Sequence, residues 1–126
     1  MIIVTRILIG ALGGLFGLLA LGFWFDTETA AANMGISSLD IVGQATVRAD
    51  IAGFFAISAG LSLFAAIRGN AGYLWPVMLL MGAAFFGRLL TILINGMGPD
   101  AVMPMIVELI TIALILYAQR TWNKEA

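Results

Sequence analysis

A chain of 126 residues that is 62% hydrophobic and only 10% charged, with mean hydropathy +1.07, is far poorer in charge than a soluble domain at roughly 25%. It is also too short to hide that much apolar surface within itself, so the composition places it in a bilayer. A net charge of -1 without a basic patch excludes a nucleic-acid surface. The absence of Cys and His excludes disulfides, thiolate chemistry, haem ligation and the usual zinc sets.

Hydropathy predicts four transmembrane helices, over residues 7–25, 47–67, 74–95 and 101–119, in one integral domain. Each is long enough to cross a hydrocarbon core of about 30 Å. In the first, Gly10, Gly13, Gly14 and Gly17 fall within about 100° of one another at helical periodicity. Two small-xxx-small pairs of this kind predict close approach of another helix, and a larger side chain at Gly14 is expected to disrupt assembly. Arg6, the apolar run and Ala30-Ala31-Ala32 also imitate a secretory signal. Asp26 and Glu28 sit badly before a cleavage site, however, and the glycine stripe suits packing. The connection 26–46 predicts a turn at Met34-Gly35 and a short helix capped by Ser37 or Ser38. A connection of this length is often functional.

In the second span Asp50, Gly53, Ile57, Gly60 and Phe64 form one helical stripe, which predicts that Asp50 faces the bundle. Arg48, roughly 200° around from Asp50, is expected to snorkel to the headgroups or to fold over a polar cluster from its rim. Gly69-Asn70-Ala71-Gly72 is a turn, after which Tyr73 and Trp75 suit an interface and Pro76 a first helical turn. The third span carries the chain's clearest polar stripe, Ala84, Arg88, Thr91 and Asn95, in otherwise apolar surroundings. An isolated charge such as Arg88 costs roughly 3 kcal/mol to insert, which predicts a partner, a wet cavity or a function. A turn over Asn95-Gly96-Met97-Gly98-Pro99-Asp100 leads to the fourth span, with Asp100 or Met103 as its cap. There Glu108 and Thr111 share a face, and Arg120, Trp122 and Lys124 read as a short interfacial tail.

Arg6, Arg68, Arg120 and Lys124 fall at one end of the spans, and Asp26, Glu28, Asp40 and Asp100 at the other. The positive-inside rule then puts both termini in the cytoplasm and the connection 26–46 in the periplasm. At 1.5 Å per residue Arg88 lies about 10 Å below Asn95 and Glu108 about 12 Å below Asp100. Asp50 enters from the same side, so the sequence predicts an outer-leaflet cluster of Arg48, Asp50, Arg88 and Glu108, flanked by Thr91 and Asn95. Arg88 is expected to contact Asp50 or Glu108, directly or through one water. The leading reading is a non-enzymatic site for a lipid-like or other small amphipathic ligand, or for a partner membrane protein. Arg88 would hold a phosphate, carboxylate or carbonyl of that ligand. The alternatives are a proton-coupled transporter using Glu108 or Asp50, and a purely structural ion network. No catalytic residue, metal ligand or cofactor site emerges: Ser58 and Ser62 lie away from the carboxylates, and adjacent arginines oppose a cation between Asp50 and Glu108. Membrane lipid is the expected partner, and a homo-oligomer fits the same pattern.

Arg48-Ala49-Asp50-x-x-Gly53, Gly87-Arg88-Leu89 with Asn95-Gly96 downstream, and Glu108-Leu109 resemble a bacterial family of small four-span inner-membrane proteins, defined only as a domain of unknown function and loosely DoxX-like. The resemblance runs from Gly35 to about Tyr117. It differs in Ala52, where the family often has Gly, and in Asn95, where an acidic residue is common. It implies a bacterial inner-membrane location and carries no activity with it.

Overall fold

The computed structural model describes residues 2–37, 39–98 and 102–125, with side-chain burial as far as Trp122. Among these residues all regular structure is helical, and four stretches are long and apolar enough to cross a membrane: Ile2–Phe25, Ile41–Arg68, Ala71–Asn95 and Val102–Trp122. The protein is an all-α bundle of the multi-pass membrane type.

The first helix, α1 (Ile2–Phe25), begins earlier than the expected residue 7. Arg6 does not interrupt it, because the guanidinium is used elsewhere. Its Nε and Nη2 donate to the carbonyls of Ala66 and Ile67 at 2.6 and 2.7 Å, in the last turn of the helix that α1 packs against. Those carbonyls have no intrahelical partner, and a cation there also favours the helix dipole. The buried residues of α1 are Thr5, Ile9, Gly13, Phe16, Ala20 and Phe23, spaced by three and four along one face. Leu18 and Phe25 on the other faces are as apolar and fully exposed, as a lipid-facing surface requires.

The connection 26–46 holds more helix than the sequence suggests. A short α2 (Thr27–Asn33) follows Asp26 directly, and the buried Thr27 hydroxyl donates back to the Phe23 carbonyl at 2.7 Å. It ends where expected, at Met34-Gly35. Gly35 has φ +82°, and the N–H groups of Gly35 and Ile36 reach back to the carbonyls of Ala32 and Ala31. This left-handed stop suits glycine and satisfies orphan carbonyls. The next helix, α3 (Ile41–Thr46), is capped by Asp40 instead of the expected Ser37 or Ser38: Asp40 Oδ1 accepts from Gly43 N–H at 2.7 Å. Asp40 is the residue just before the first turn, where a side-chain oxygen reaches the third N–H. Ser38 lies outside the described residues.

Helix α3 does not end at Thr46. It runs through a π-helical turn, Val47–Ile51, into α4 (Ala52–Arg68) as one column, so the second span begins at Ile41, not Val47. In the widened turn the Ala52 N–H bonds to the Val47 carbonyl and no longer to that of Arg48. The freed Arg48 carbonyl accepts from the Trp24 indole at 3.1 Å, while Arg48 Nε donates to the Trp24 carbonyl at 3.2 Å. This reciprocal pair ties the end of α1 to the wide turn.

Gly69 closes α4 in the left-handed region at φ +66°. Asn70 accepts from Gly72 N–H at 2.9 Å, and a 3-10 turn over Ala71–Leu74 opens α5 (Trp75–Asn95), with Pro76 in its first turn as expected. Gly96, at φ +90°, ends α5. The cap expected at Asp100 falls outside the described residues, and Met103 lies within α6 (Val102–Glu125). The interfacial tail is a correction. The helix continues to Glu125, and Trp122 is only 2% exposed, packed in the core cluster that holds Ala71, Leu74, Ile115 and Ala118. The 3-10 turn places Ala71 and Leu74 in the same cluster as the end of α6.

The closest pairing in the bundle is α1 on α4, with α5 on α6 and α6 on α1. A Cβ added at Gly13 would lie 2.9 Å from Leu63 Cγ and 3.2 Å from the backbone at both Ala59 and Leu63. Gly10 and Gly17 face Ala66 and Ala59 at 3.7 Å, whereas nothing lies within 4 Å of Gly14. The expected glycine contact is therefore present, but it turns on Gly13; Gly14 sits on the far side of the same stripe. Phe55 extends the seam, meeting Phe16 at 5.9 Å and Phe23 at 5.7 Å between ring centres.

Candidate functional site: a cavity around the Arg88–Glu108 pair

Arg88 lies on α5, and Glu108 lies where α6 packs against it. Arg88 Nε donates to Glu108 Oε2 at 3.1 Å, so the partner expected for Arg88 is Glu108 and the contact is direct. It is the only ion pair among the described residues. Its members differ in burial. The Glu108 side chain is 8% exposed, while the Arg88 side chain is 36% exposed. Glu108 Oε1 is buried with no hydrogen-bond partner. The Arg88 Nη groups likewise make no hydrogen bond among the described residues.

Both side chains line a partly open cavity of about 820 Å³. All four spans contribute to its wall, and so does the connection. The apolar lining includes Leu15, Leu19, Phe54, Phe55, Met81 and Val107. The polar groups are few: Asn33, Asp50, Arg88 and Glu108. Mostly apolar walls with a few placed polar groups are what small-molecule sites have in common.

Asp50 reaches this cavity by a different route from the one its helical stripe implied. Ile57, Gly60 and Phe64, predicted to share its inward face, are exposed, and the buried face of α4 is Ala52, Ser58, Ala59, Ser62 and Ala65. The extra residue in the π turn shifts the helical phase, so Asp50 is decoupled from that stripe and opens onto the cavity. Asp50 is solvent-exposed, and it has no hydrogen bond or ion pair among the described residues.

The remaining expected members are not brought in. Arg48 is held at Trp24 and does not line the cavity, because the freed carbonyl beside it draws the two residues together. On α5 the polar stripe divides. Ala84 and Arg88 line the cavity, whereas Thr91 donates to the Gly87 carbonyl of its own helix at 3.0 Å and Asn95 is exposed at the helix end. The cluster expected to be neutral thus becomes two carboxylates and one guanidinium. Thr111, on the face of Glu108 as expected, is buried and donates to the Val107 carbonyl at 2.8 Å.

Sequence reasoning missed the cavity's rim at Asn33, Met34 and Ile36, for which the length of the connection was the only signal. It also missed Phe54 and Phe55, since aromatic residues in an apolar span carry no mark of which way they point. No group of three or more His, Cys, Asp or Glu side chains converges to metal-binding distance among the described residues. Comparison with protein-family models, with curated proteins and with solved structures finds no match to this chain.

Proposed function

We propose that this multi-pass membrane protein is a non-enzymatic binder of a small amphipathic molecule. The apolar part would lie against Phe54, Phe55 and Val107, and the polar head would sit at Arg88, Glu108 and Asp50. The observation that carries the reading is the coincidence of two things in one cavity: an apolar wall drawn from all four spans, and charged groups whose hydrogen-bonding capacity is only half used. A purely structural ion network would close on itself, because unmet polar groups in a low-dielectric interior are costly. This one leaves Glu108 Oε1 buried without a partner and Asp50 unpaired among the described residues.

The same reading places the protein in a bacterial inner membrane, with both termini cytoplasmic and the cavity in the outer half of the bilayer. Its supports are the basic Arg6, Arg68 and Arg120 at one end, the acidic Asp26, Glu28 and Asp40 at the other, and the family resemblance of the Arg-Ala-Asp and Gly-Arg segments.

The test is photolabelling in a phosphatidylcholine nanodisc with a diazirine-bearing alkyl probe, mapped by peptide mass spectrometry. Labels are expected on cavity residues such as Phe54 and Val107, and Val107→Trp, which fills the space, should abolish them. Labelling confined to exposed outer residues such as Leu93 and Ile94, and unchanged by Val107→Trp, would overturn the proposal.

A further inference from the structure

We infer that the cavity selects an amphiphile whose polar head is a protonated amine, an inference that rests on the binding role just proposed. Two carboxylates and one guanidinium line the cavity. The single positive charge is already engaged, since Arg88 donates to Glu108 Oε2 at 3.1 Å. The other oxygen, Glu108 Oε1, belongs to a side chain that is 8% exposed, and it has no partner. Asp50 has none among the described residues, and the cation nearest to it in sequence, Arg48, is turned to the Trp24 carbonyl.

Three kinds of head can be compared on this ground. An anionic head would meet the free Arg88 Nη groups, but it would enter a site that already carries an excess negative charge and would compete with Glu108 for the guanidinium. A hydroxyl donates one hydrogen bond and leaves the excess charge uncompensated, in surroundings where charges are weakly screened. A primary ammonium brings three donors and one positive charge. It supplies donors of the kind that Asp50 and the unpartnered Glu108 Oε1 accept, and its charge makes the site neutral. Charge-assisted bonds of this kind are the stronger ones. The apolar walls accept the chain that follows the head. A free long-chain amine brings both the donors and the net charge; an aminophospholipid shares the ammonium donors, with its phosphate left to face the Arg88 Nη groups.

The experiment uses the full chain in phosphatidylcholine nanodiscs, whose quaternary head has no N–H to donate. Dodecylamine, dodecanol and dodecanoate compete with the diazirine alkyl probe at equal membrane mole fraction and neutral pH. Dodecylamine should displace the probe at about tenfold lower content than the other two, the factor expected of one added charge-assisted hydrogen bond. Asp50→Asn, at an exposed position without partners among the described residues, should remove most of that preference. With phosphatidylethanolamine in the disc, a higher dodecylamine requirement identifies a bilayer lipid as the source of the amine, and an unchanged requirement identifies a free amphiphile. Equal or better competition by dodecanol or dodecanoate, or a full preference retained in Asp50→Asn, overturns the amine and leaves the binding role standing. Failure of the probe to enter the cavity at all sinks the binding role itself.

Discussion

The unequal burial of the Arg88–Glu108 pair makes a quantitative prediction about removing either member. Arg88→Leu strands a carboxylate whose side chain is 8% exposed, whereas Glu108→Gln strands a guanidinium whose side chain is 36% exposed and borders a partly open cavity. Breaking a fully buried pair costs about 3–5 kcal/mol, chiefly because the survivor is left charged and unpaired. Arg88→Leu should fall near the lower end, about 3 kcal/mol, since the cavity admits some compensation. Glu108→Gln should cost only about 1 kcal/mol: Gln keeps an acceptor for Arg88 Nε, and the guanidinium can turn toward the open space. The double variant loses both charges and should recover about 2 kcal/mol relative to the sum of the singles. Arg88→Leu combined with Asp50→Asn should recover little, because Asp50 is not paired to Arg88. Unfolding in mixed micelles by titration with a denaturing detergent, followed by tryptophan fluorescence, measures all four variants. Equal costs for the two single changes, or recovery only with Asp50→Asn, would refute the assignment of Glu108 as the partner.

Three further outcomes follow from the packing and topology. Gly13→Ala should destabilise by about 1–3 kcal/mol through overpacking on Leu63 and the Ala59 carbonyl, whereas Gly14→Ala, in open space, should be neutral or stabilise by up to about 1 kcal/mol; thermal unfolding in detergent separates them, and equal effects would put the wrong face of α1 against α4. Trp24→Phe removes the donor to the freed Arg48 carbonyl and should cost about 1 kcal/mol, with faster amide exchange across Val47–Ile51; unchanged exchange would mean that the indole does not hold the wide turn. Because the chain has no native cysteine, single Asn70→Cys and Asn33→Cys variants report topology directly: an impermeant thiol reagent should reach only position 33 from the periplasmic side, and labelling of position 70 from that side would reverse the proposed orientation.

Much of the architecture was legible in residues alone, for a physical reason. A bilayer forces each crossing segment to satisfy its own backbone, so length and hydropathy suffice to locate spans. The turns at Gly35, Gly69 and Gly96 were equally legible, because each needs a positive φ that glycine adopts without strain. The isolated charge of Arg88 announced a partner, since the cost of leaving it bare in an apolar run is large.

Which faces turn inward was a different matter. In water, hydrophobicity separates core from surface; in lipid both are apolar, so the pattern that would have distinguished Gly13 from Gly14, or Phe55 from Leu18, is missing from the sequence. Trp122 was misplaced for a related reason, as a tryptophan near a helix end suits an interface as well as a core, and only its packing with Ala71 and Leu74 of the 3-10 turn decides for the core. The composition of the polar cluster depended on a single inserted residue. The π turn at Val47–Ile51 broke the helical periodicity on which Asp50 had been placed, freed the carbonyl that holds Arg48 at Trp24, and left Glu108 alone to pair with Arg88. A register change of that kind has no signature in residue type or spacing; it is decided where α1, α4 and the connection meet.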